Sequence, residues 1–187
     1  RALYNSPYND ANSPTATGLS IPSGVAVDAD GNLWVADTGN GRVLMYRRPF
    51  EAPSRFQRSA DLVLGSAETQ SGTNAALSLK LTSGAMQPDG IAVSRETGEI
   101  FVSDTLNSTV RKFPNYPALV ITPTITSTNM TAYGPRALAL DARENLYLVD
   151  ASSRIAVHYP AFTPLHGASG FQRLAPGTIA TFELPGT

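Results

Sequence analysis

The sequence predicts an all-β fold that is assembled from three copies of one antiparallel unit. One segment that begins with proline occurs three times, at 22–46, 88–113 and 135–159, and it keeps its prolines and aspartates while other polar residues change. Apolar and polar residues alternate within each copy with the period of a strand. Turn-forming residues lie where the alternation stops. A motif that is repeated for its shape indicates architecture, because a catalytic motif normally occurs once.

Each copy begins with a short apolar strand and a tight turn. The predicted strands are 25–27, 91–93 and 138–140, and the turns are 28–32, 94–99 and 141–145. Asp30-Gly31 and Thr97-Gly98 supply the positive φ that a hairpin needs. The third copy has Glu144-Asn145 instead, and asparagine also tolerates this conformation. We therefore expect the same hairpin in all three copies.

A second and a third strand follow in each copy. The second strands, 33–36, 100–103 and 146–149, each carry one aromatic residue at the same place, and an aspartate follows each of them. The third strands are 43–46, 110–113 and 155–159. β-Branched residues and period-2 alternation favour strands throughout, and we predict no helix.

The spacing between the copies indicates the architecture. Pro88 and Pro135 are 47 residues apart, whereas Pro22 and Pro88 are 66 apart, so we expect an insertion within 47–85. The shorter spacing is close to the period of propeller repeats. A candidate fourth strand precedes each unit, at 2–4, 61–64 and 118–121. Four antiparallel strands in each unit predict the blades of a β-propeller.

The repeated pattern P-x-G-[VI]-A-V-x-x-x-G-x-[LI]-[WF]-V-x-D-T-x-N resembles the NHL repeat, a family of β-propeller blades found in bacterial proteins. The third copy departs from the pattern at Ala137, at Ala151 and in its shorter turn at 152–154. The predicted organisation is a single propeller segment, 1–187. Blade 1 is about 1–48, blade 2 about 59–114 after an insertion at 47–58, blade 3 about 117–160, and 161–187 is a trailing strand or linker.

Three blades and a strand do not close a ring, because propellers need about four to eight blades. The resemblance implies a ring that commonly has six. We expect two copies of the chain to pair as a homodimer, or the rest of a longer chain to supply the missing blades. A higher assembly in an open array is the third possibility.

Composition narrows the range of partners. The formal net charge is −1 and no cysteine is present, so we expect no nucleic acid partner and neither disulfides nor thiolate catalysis. No apolar run reaches the length of a membrane-spanning helix. His158 and His166 are the only histidines, and we predict no metal site and no cofactor.

The variable loops at one end of the blades are the candidate binding face. The insertion at 47–85 is a second candidate. We interpret the aspartates that end the second strands as structural turn caps that accept backbone N–H groups. Asn107 and Asn129 begin glycosylation sequons if the source glycosylates exported proteins. The turn caps are Asp37, Asp104 and Asp150, and the loop-face candidates are Thr38, Gly39, Asn40, Arg42, Thr105, Leu106, Asn107, Ser108, Ser152, Ser153 and Arg154.

The function predicted from these features is a non-catalytic binding or scaffolding module that recognises a protein or a glycan. The tail sequence RLAPGTIATF resembles the start of immunoglobulin-like domains in some bacterial exported proteins, which implies an extracellular or cell-surface location. Two alternatives stay open. One is a structural subunit that self-assembles, and the other is a metal-dependent hydrolase or lyase with its site in the central channel.

Overall fold

The computed structural model describes residues 18–51, 59–65, 77–82, 84–121, 124–125, 127–132, 134–151, 155–158 and 172–173. These residues form three β-sheets. The all-β class and the blades of four antiparallel strands are therefore confirmed.

The first sheet contains the first copy of the repeat. Its antiparallel strands are β1 (Pro22–Val27), β2 (Leu33–Asp37), β3 (Arg42–Tyr46) and β4 (Leu62–Gly65), which lie in this order. One 3-10 turn, Thr38–Asn40, joins β2 to β3. Strand β5 (Leu77–Leu81) extends the sheet and runs parallel to β4.

The second and third sheets repeat the arrangement. The second sheet contains β6 (Pro88–Val93), β7 (Ile100–Asp104) and β8 (Thr109–Phe113). A short helix, α1 (Tyr116–Leu119), and strand β9 (Thr124–Ile125) follow, and β9 adds to the first sheet beside β5. Strand β10 (Thr128–Thr131) completes the second sheet beside β8. The third sheet is β11 (Pro135–Leu140), β12 (Leu146–Asp150), β13 (Ile155–His158) and β14 (Gln172–Arg173).

The predicted fourth strands need correction. Residues 118–121 do not form a strand, because the Asn115 side chain accepts a hydrogen bond from the backbone N–H of Ala118 (3.1 Å) and starts helix α1. Pro117 lies in the first turn of this helix, where its missing N–H costs nothing. The outer strand of the second blade is β10 instead. The candidate at 2–4 lies outside the described residues.

The strand predicted at 61–64 is present as β4, but it belongs to a different blade. It pairs with β3, so it is the outer strand of the first blade rather than the start of the second. The outer strand thus follows the repeat and does not precede it. The predicted insertion is also part of the sheet, since Leu79 and Leu81 of β5 lie in the core between the first two blades.

The core consists mainly of the layers between neighbouring blades. Trp34 and Val43 of the first blade pack against Ile91 and Val102 of the second. Phe101 of the second blade packs in the same way against the leucines of the third, Leu146 and Leu148. The aromatic residue that recurs in the second strand therefore fills the space toward the following blade, where burial of apolar area supplies most of the stability.

A carboxylate organises the hairpin in the first and third blades. Asp28 accepts hydrogen bonds from the backbone N–H of Asn32 (2.9 Å) and from the Trp34 indole N–H (3.0 Å). Asp141 accepts the equivalent bonds from Asn145 N–H (2.9 Å) and the Tyr147 hydroxyl (3.1 Å). The second blade has Ser94 and Phe101 at these places, so it lacks both the carboxylate and the aromatic donor.

The residue with positive φ in the third hairpin is Glu144, whose φ is 62°. The corresponding residues Gly31 and Gly98 have φ of 83° and 74°. The preceding residue, rather than Asn145, thus adopts the left-handed conformation. A non-glycine residue in this region costs about 1–2 kcal/mol, which the bonds to Asp141 help to offset.

The inner strands of the three blades, β1, β6 and β11, lie side by side, with β6 between the other two. Their backbones approach so closely that glycine is required. An ideal Cβ on Gly24 lies 2.6 Å from the carbonyl oxygen of Asp89, and one on Gly90 overlaps the carbonyl oxygen of Arg136. The first glycine of the repeat therefore sets the spacing between blades.

Replacing Gly24 with alanine should destabilise the fold, because the added methyl group meets backbone that cannot rotate away. We expect Gly24→Ala to lower the free energy of unfolding by about 1–3 kcal/mol, the usual cost of overpacking. Ala137→Gly is the matched control at the same position of β11, where the side chain is exposed, and we expect it to change stability by less than about 1 kcal/mol. Urea unfolding measures both, and equal effects would contradict the argument.

Asp141 should make stability depend on acidity. Burial opposes its ionisation, but hydrogen bonds from Asn145, Arg143 N–H and Tyr147 outweigh burial and lower the pKa of Asp141 from its ordinary value of 3.8. A lowered pKa stabilises the fold fully above 3.8, and this stabilisation is lost as the pH falls through the lowered value.

We therefore expect wild type to lose more stability than Asp141→Asn when neutral solution is acidified to below 3.8, in urea unfolding at each pH. Tyr147→Phe removes one donor and should give an intermediate loss. The same acid dependence in wild type and Asp141→Asn would show that this carboxylate is not responsible.

Candidate ligand-binding site at the inner strands

The recurring aspartates lie buried at the ends of the second strands. Asp37 is fully buried and accepts hydrogen bonds from Ser20 N–H (2.7 Å), Asn40 Nδ2 (2.8 Å) and Arg42 Nε (2.7 Å). Arg42 is itself buried and also donates to the carbonyl oxygen of Gly18 (2.8 Å). This carboxylate ties the loop after β2 to the chain that leads into β1, and the backbone N–H that it accepts from precedes β1 and is not in the turn after β2.

The second blade repeats the arrangement with one change. Asp104 accepts from Gln87 N–H (3.0 Å), Asn107 Nδ2 (2.7 Å) and Arg111 Nε (2.6 Å). Arg111 lies two residues farther along its strand than Arg42 does in the first blade, so both arginines project from the same face. Arg111 was not among the predicted site residues, because this shift takes it out of the sequence motif. Asp150 of the third blade is also buried.

These contacts change the interpretation of the predicted loop face. Asn40 and Arg42 are buried and hold Asp37, so they are not exposed to a ligand. Thr38 donates to the carbonyl oxygen of Pro88 (2.6 Å), and Thr105 donates to that of Gln87 (3.1 Å). Gly39 N–H donates to Ser20 O (2.8 Å).

The exposed candidates that the structure describes on this face are Leu106, Asn107 and Ser108. The Asn107 side-chain nitrogen donates to Ala85 O (2.9 Å) as well as to Asp104, so glycosylation at this nitrogen would displace bonds that the loop uses. Ser152, Ser153 and Arg154 lie outside the described residues.

A cleft opens beside these loops, where the first halves of the inner strands meet. Its volume is about 270 Å³. Each inner strand contributes the three residues that follow its proline, and the first of these has a different chemistry in every blade. The lining residues are Ser23, Gly24, Val25, Asp89, Gly90, Ile91, Arg136, Ala137 and Leu138.

The variable position gives the cleft its chemistry. Arg136 Nη1 lies 3.0 Å from Asp89 Oδ2, and this ion pair bridges the second and third blades at the cleft. Arg136 is 58% exposed and Asp89 is 21% exposed, so the guanidinium can reach a ligand while the carboxylate holds it in place. Ser23 donates to the carbonyl oxygen of Asp89 (2.6 Å). The site thus offers a cationic donor, a carboxylate acceptor and a hydroxyl within one cleft.

Ser23, Asp89 and Arg136 were not among the predicted site residues, because they lie in strands and not in the variable loops. The signal was present in the repeat itself, as Pro-Ser-Gly, Pro-Asp-Gly and Pro-Arg-Ala at 22–24, 88–90 and 135–137. The proline is kept while the next residue becomes a hydroxyl, an acid and a base, which indicates a position whose side chain the framework does not fix. The structure adds that all three lie on one cleft.

Among the residues that the structure describes, no three His, Asp or Glu side chains lie close enough together to hold a metal ion. The same part of the chain contains no helix of the length and apolarity needed to cross a membrane.

The first copy of the repeat is similar to the NHL repeat, as its sequence pattern predicts. Residues 19–46 match the NHL repeat, which corresponds to β1–β3 of the first blade. No curated protein sequence matches the chain.

Solved structures that share the fold include an enzyme of each of two bacteria. Hydrazine synthase from Kuenenia stuttgartiensis is 12% identical with a TM-score of 0.53, and the match covers 89% of this chain and 38% of that one. Virginiamycin B lyase from Staphylococcus aureus is 10% identical with a TM-score of 0.51, and the match covers 95% and 43% of the two chains. At this identity the likeness concerns the fold alone. The chain spans less than half the length of either relative.

Breaking the buried ion pair should cost far more than breaking an exposed one. Arg111→Met leaves the Asp104 carboxylate buried without its cation, and we expect the free energy of unfolding to fall by about 3–5 kcal/mol. The matched control on the next residue, Lys112→Met, removes a half-exposed pair with Glu99 (2.7 Å), and should cost at most about 1 kcal/mol. Chemical denaturation measures both variants. Equal losses would mean that Asp104 does not depend on Arg111.

Proposed function

We propose that this NHL-type propeller segment is a non-catalytic binding module that holds a carbohydrate ligand in the cleft at the inner strands. The observation that carries the proposal is the Asp89–Arg136 pair at 3.0 Å, which lies on a cleft built from all three blades. A site that draws one residue from each blade is typical of a binding function grafted onto a repeated framework.

The chemistry of the pair suits sugar hydroxyls. A hydroxyl group both donates and accepts hydrogen bonds. A carboxylate beside a guanidinium provides an acceptor and a donor to adjacent hydroxyls without adding net charge. Together these groups support a neutral glycan better than a strongly charged ligand.

We propose further that the module is part of an exported or cell-surface protein. The support is the tail resemblance to bacterial exported proteins, and within the tail the structure describes only β14. A glycan-binding role is compatible with such a location.

The metal-dependent hydrolase or lyase receives no support from the described residues, because no group of three or more acidic or histidine side chains converges there. The lyase among the similar structures is 10% identical to this chain and contributes a likeness of fold only. Catalysis is therefore not part of the proposal.

Removing either member of the pair should weaken glycan binding. We expect Arg136→Ala and Asp89→Asn each to reduce affinity by roughly 10-fold to 100-fold, the effect of losing one hydrogen bond to a charged group. An array of neutral oligosaccharides identifies the strongest binder, and titration calorimetry with that oligosaccharide measures the variants.

Arg143→Ala is the control, since Arg143 is exposed in the same blade but lies on the hairpin at the other end of β11. It should leave affinity unchanged. Binding of the oligosaccharide that is equally strong in wild type, Arg136→Ala and Asp89→Asn would place the ligand elsewhere. No binding to any glycan on the array would reject the proposed ligand class.

A further inference from the structure

The contacts between neighbouring blades have a direction. At both described junctions the preceding blade supplies a glycine and a serine hydroxyl, and the following blade supplies the carbonyl oxygen of the residue after its proline. In the first junction Gly24 faces the Asp89 carbonyl oxygen, and Ser23 donates to it (2.6 Å). In the second junction Gly90 faces the Arg136 carbonyl oxygen, and Ser103 donates to it. The glycine provides space and the hydroxyl satisfies the carbonyl group.

The third blade lacks both features on its trailing face, the side that corresponds to Trp34 and Phe101. Ala137 replaces the glycine, and its methyl group would meet the carbonyl oxygen that glycine admits elsewhere. Arg136 occupies the position of Ser23, and Val149 occupies the position of Ser103, so neither position provides a hydroxyl. Val149 is 40% exposed. The trailing face of blade 3 therefore cannot form a third junction of the same kind.

The first blade, in contrast, retains a surface on which another blade can pack. This surface is its leading face, the side that corresponds to Ile91 and Val93 of blade 2. Val25 and Val27 of β1 are 67% and 54% exposed. Their counterparts in β6, Ile91 and Val93, are only 5% and 9% exposed because the first blade covers them. The Ser23 carbonyl group occupies the same place in β1 as the acceptors Asp89 and Arg136 occupy in their strands. This leading face has the apolar surface and the acceptor position of an occupied junction.

We propose that a further blade of the same repeat type docks on the leading face of blade 1, and that a second copy of this chain does not supply it. The docking blade carries glycine at the third position of its inner strand and a serine hydroxyl beside it, as blades 1 and 2 do. A second copy would close a ring by bringing its blade 3 to this face, which would press the Ala137 methyl group against the Ser23 carbonyl oxygen. The geometry therefore argues against the homodimer as the way to complete the ring.

The proposal predicts the mass of the 187-residue chain in light scattering after size exclusion. Wild type should remain at 19.8 kDa. Ala137→Gly with Val149→Ser gives blade 3 the glycine and the serine that blade 2 has on its trailing face, and this variant should associate to twice that mass or more. Adding Val25→Asp to this double variant places a charge on the leading face of blade 1 and should restore 19.8 kDa. Circular dichroism of each variant checks that the sheets are retained.

Two results would overturn the proposal. The first is a wild-type dimer that Val25→Asp converts to monomer, because the native trailing face would then already fit the leading face. The second is an Ala137→Gly, Val149→Ser variant that is folded and still monomeric, because glycine and serine would then not be what the third blade lacks.

Discussion

The structure depends on the close approach of three backbones where the inner strands meet. Each strand passes so near the next that a Cβ atom at Gly24 or Gly90 would contact a carbonyl oxygen of the neighbouring blade. This spacing brings the layers of Trp34 and Phe101 into contact with the following blades. It also brings Ser23, Asp89 and Arg136 onto one cleft. The packing of the core and the formation of the candidate site therefore have the same cause.

The framework and the site use different residues of the same repeat. Buried aspartates and arginines hold the loops, and hairpin carboxylates hold the opposite end in blades 1 and 3, so these charges are occupied by structure. The residue after the proline contributes its backbone carbonyl group to a junction in blades 2 and 3, and its side chain lies at the cleft in all three blades. This division allows one position to become serine, aspartate and arginine in three blades without loss of the fold.

The sequence was sufficient to predict the strands of each repeat, because alternation and turn residues are local signals. It failed at 118–121, where Asn115 and Pro117 favour a helical turn over an apolar strand. It also assigned β4 to the wrong blade, since nothing local shows whether an outer strand pairs with the preceding or the following unit. Arg111 was missed because a shift of two residues preserves the strand face but breaks the sequence motif.

The candidate site was harder to predict than the fold. Its residues are far apart in the chain and meet only through the packing of β1 against β6 and of β6 against β11. The binding face was predicted at 38–41 and 105–108 because these loops vary between the copies. Several polar groups there instead form hydrogen bonds to the backbone and to the buried aspartates. The residue after the proline of each inner strand varies while its neighbours are kept, and this variation indicates the site better. The three residues are brought together only by the packing of the three strands.

Amide hydrogen exchange of the inner strands tests the central claim most directly. Strand β6 lies between the other two inner strands and is buried along most of its length, whereas β1 and β11 each have an exposed side. We expect the amides of Ile91–Val93 to exchange more slowly than those of 25–27 and 138–140, because opening β6 requires separation of both junctions. Equal exchange in all three strands would contradict the claim that the close junctions hold the blades together.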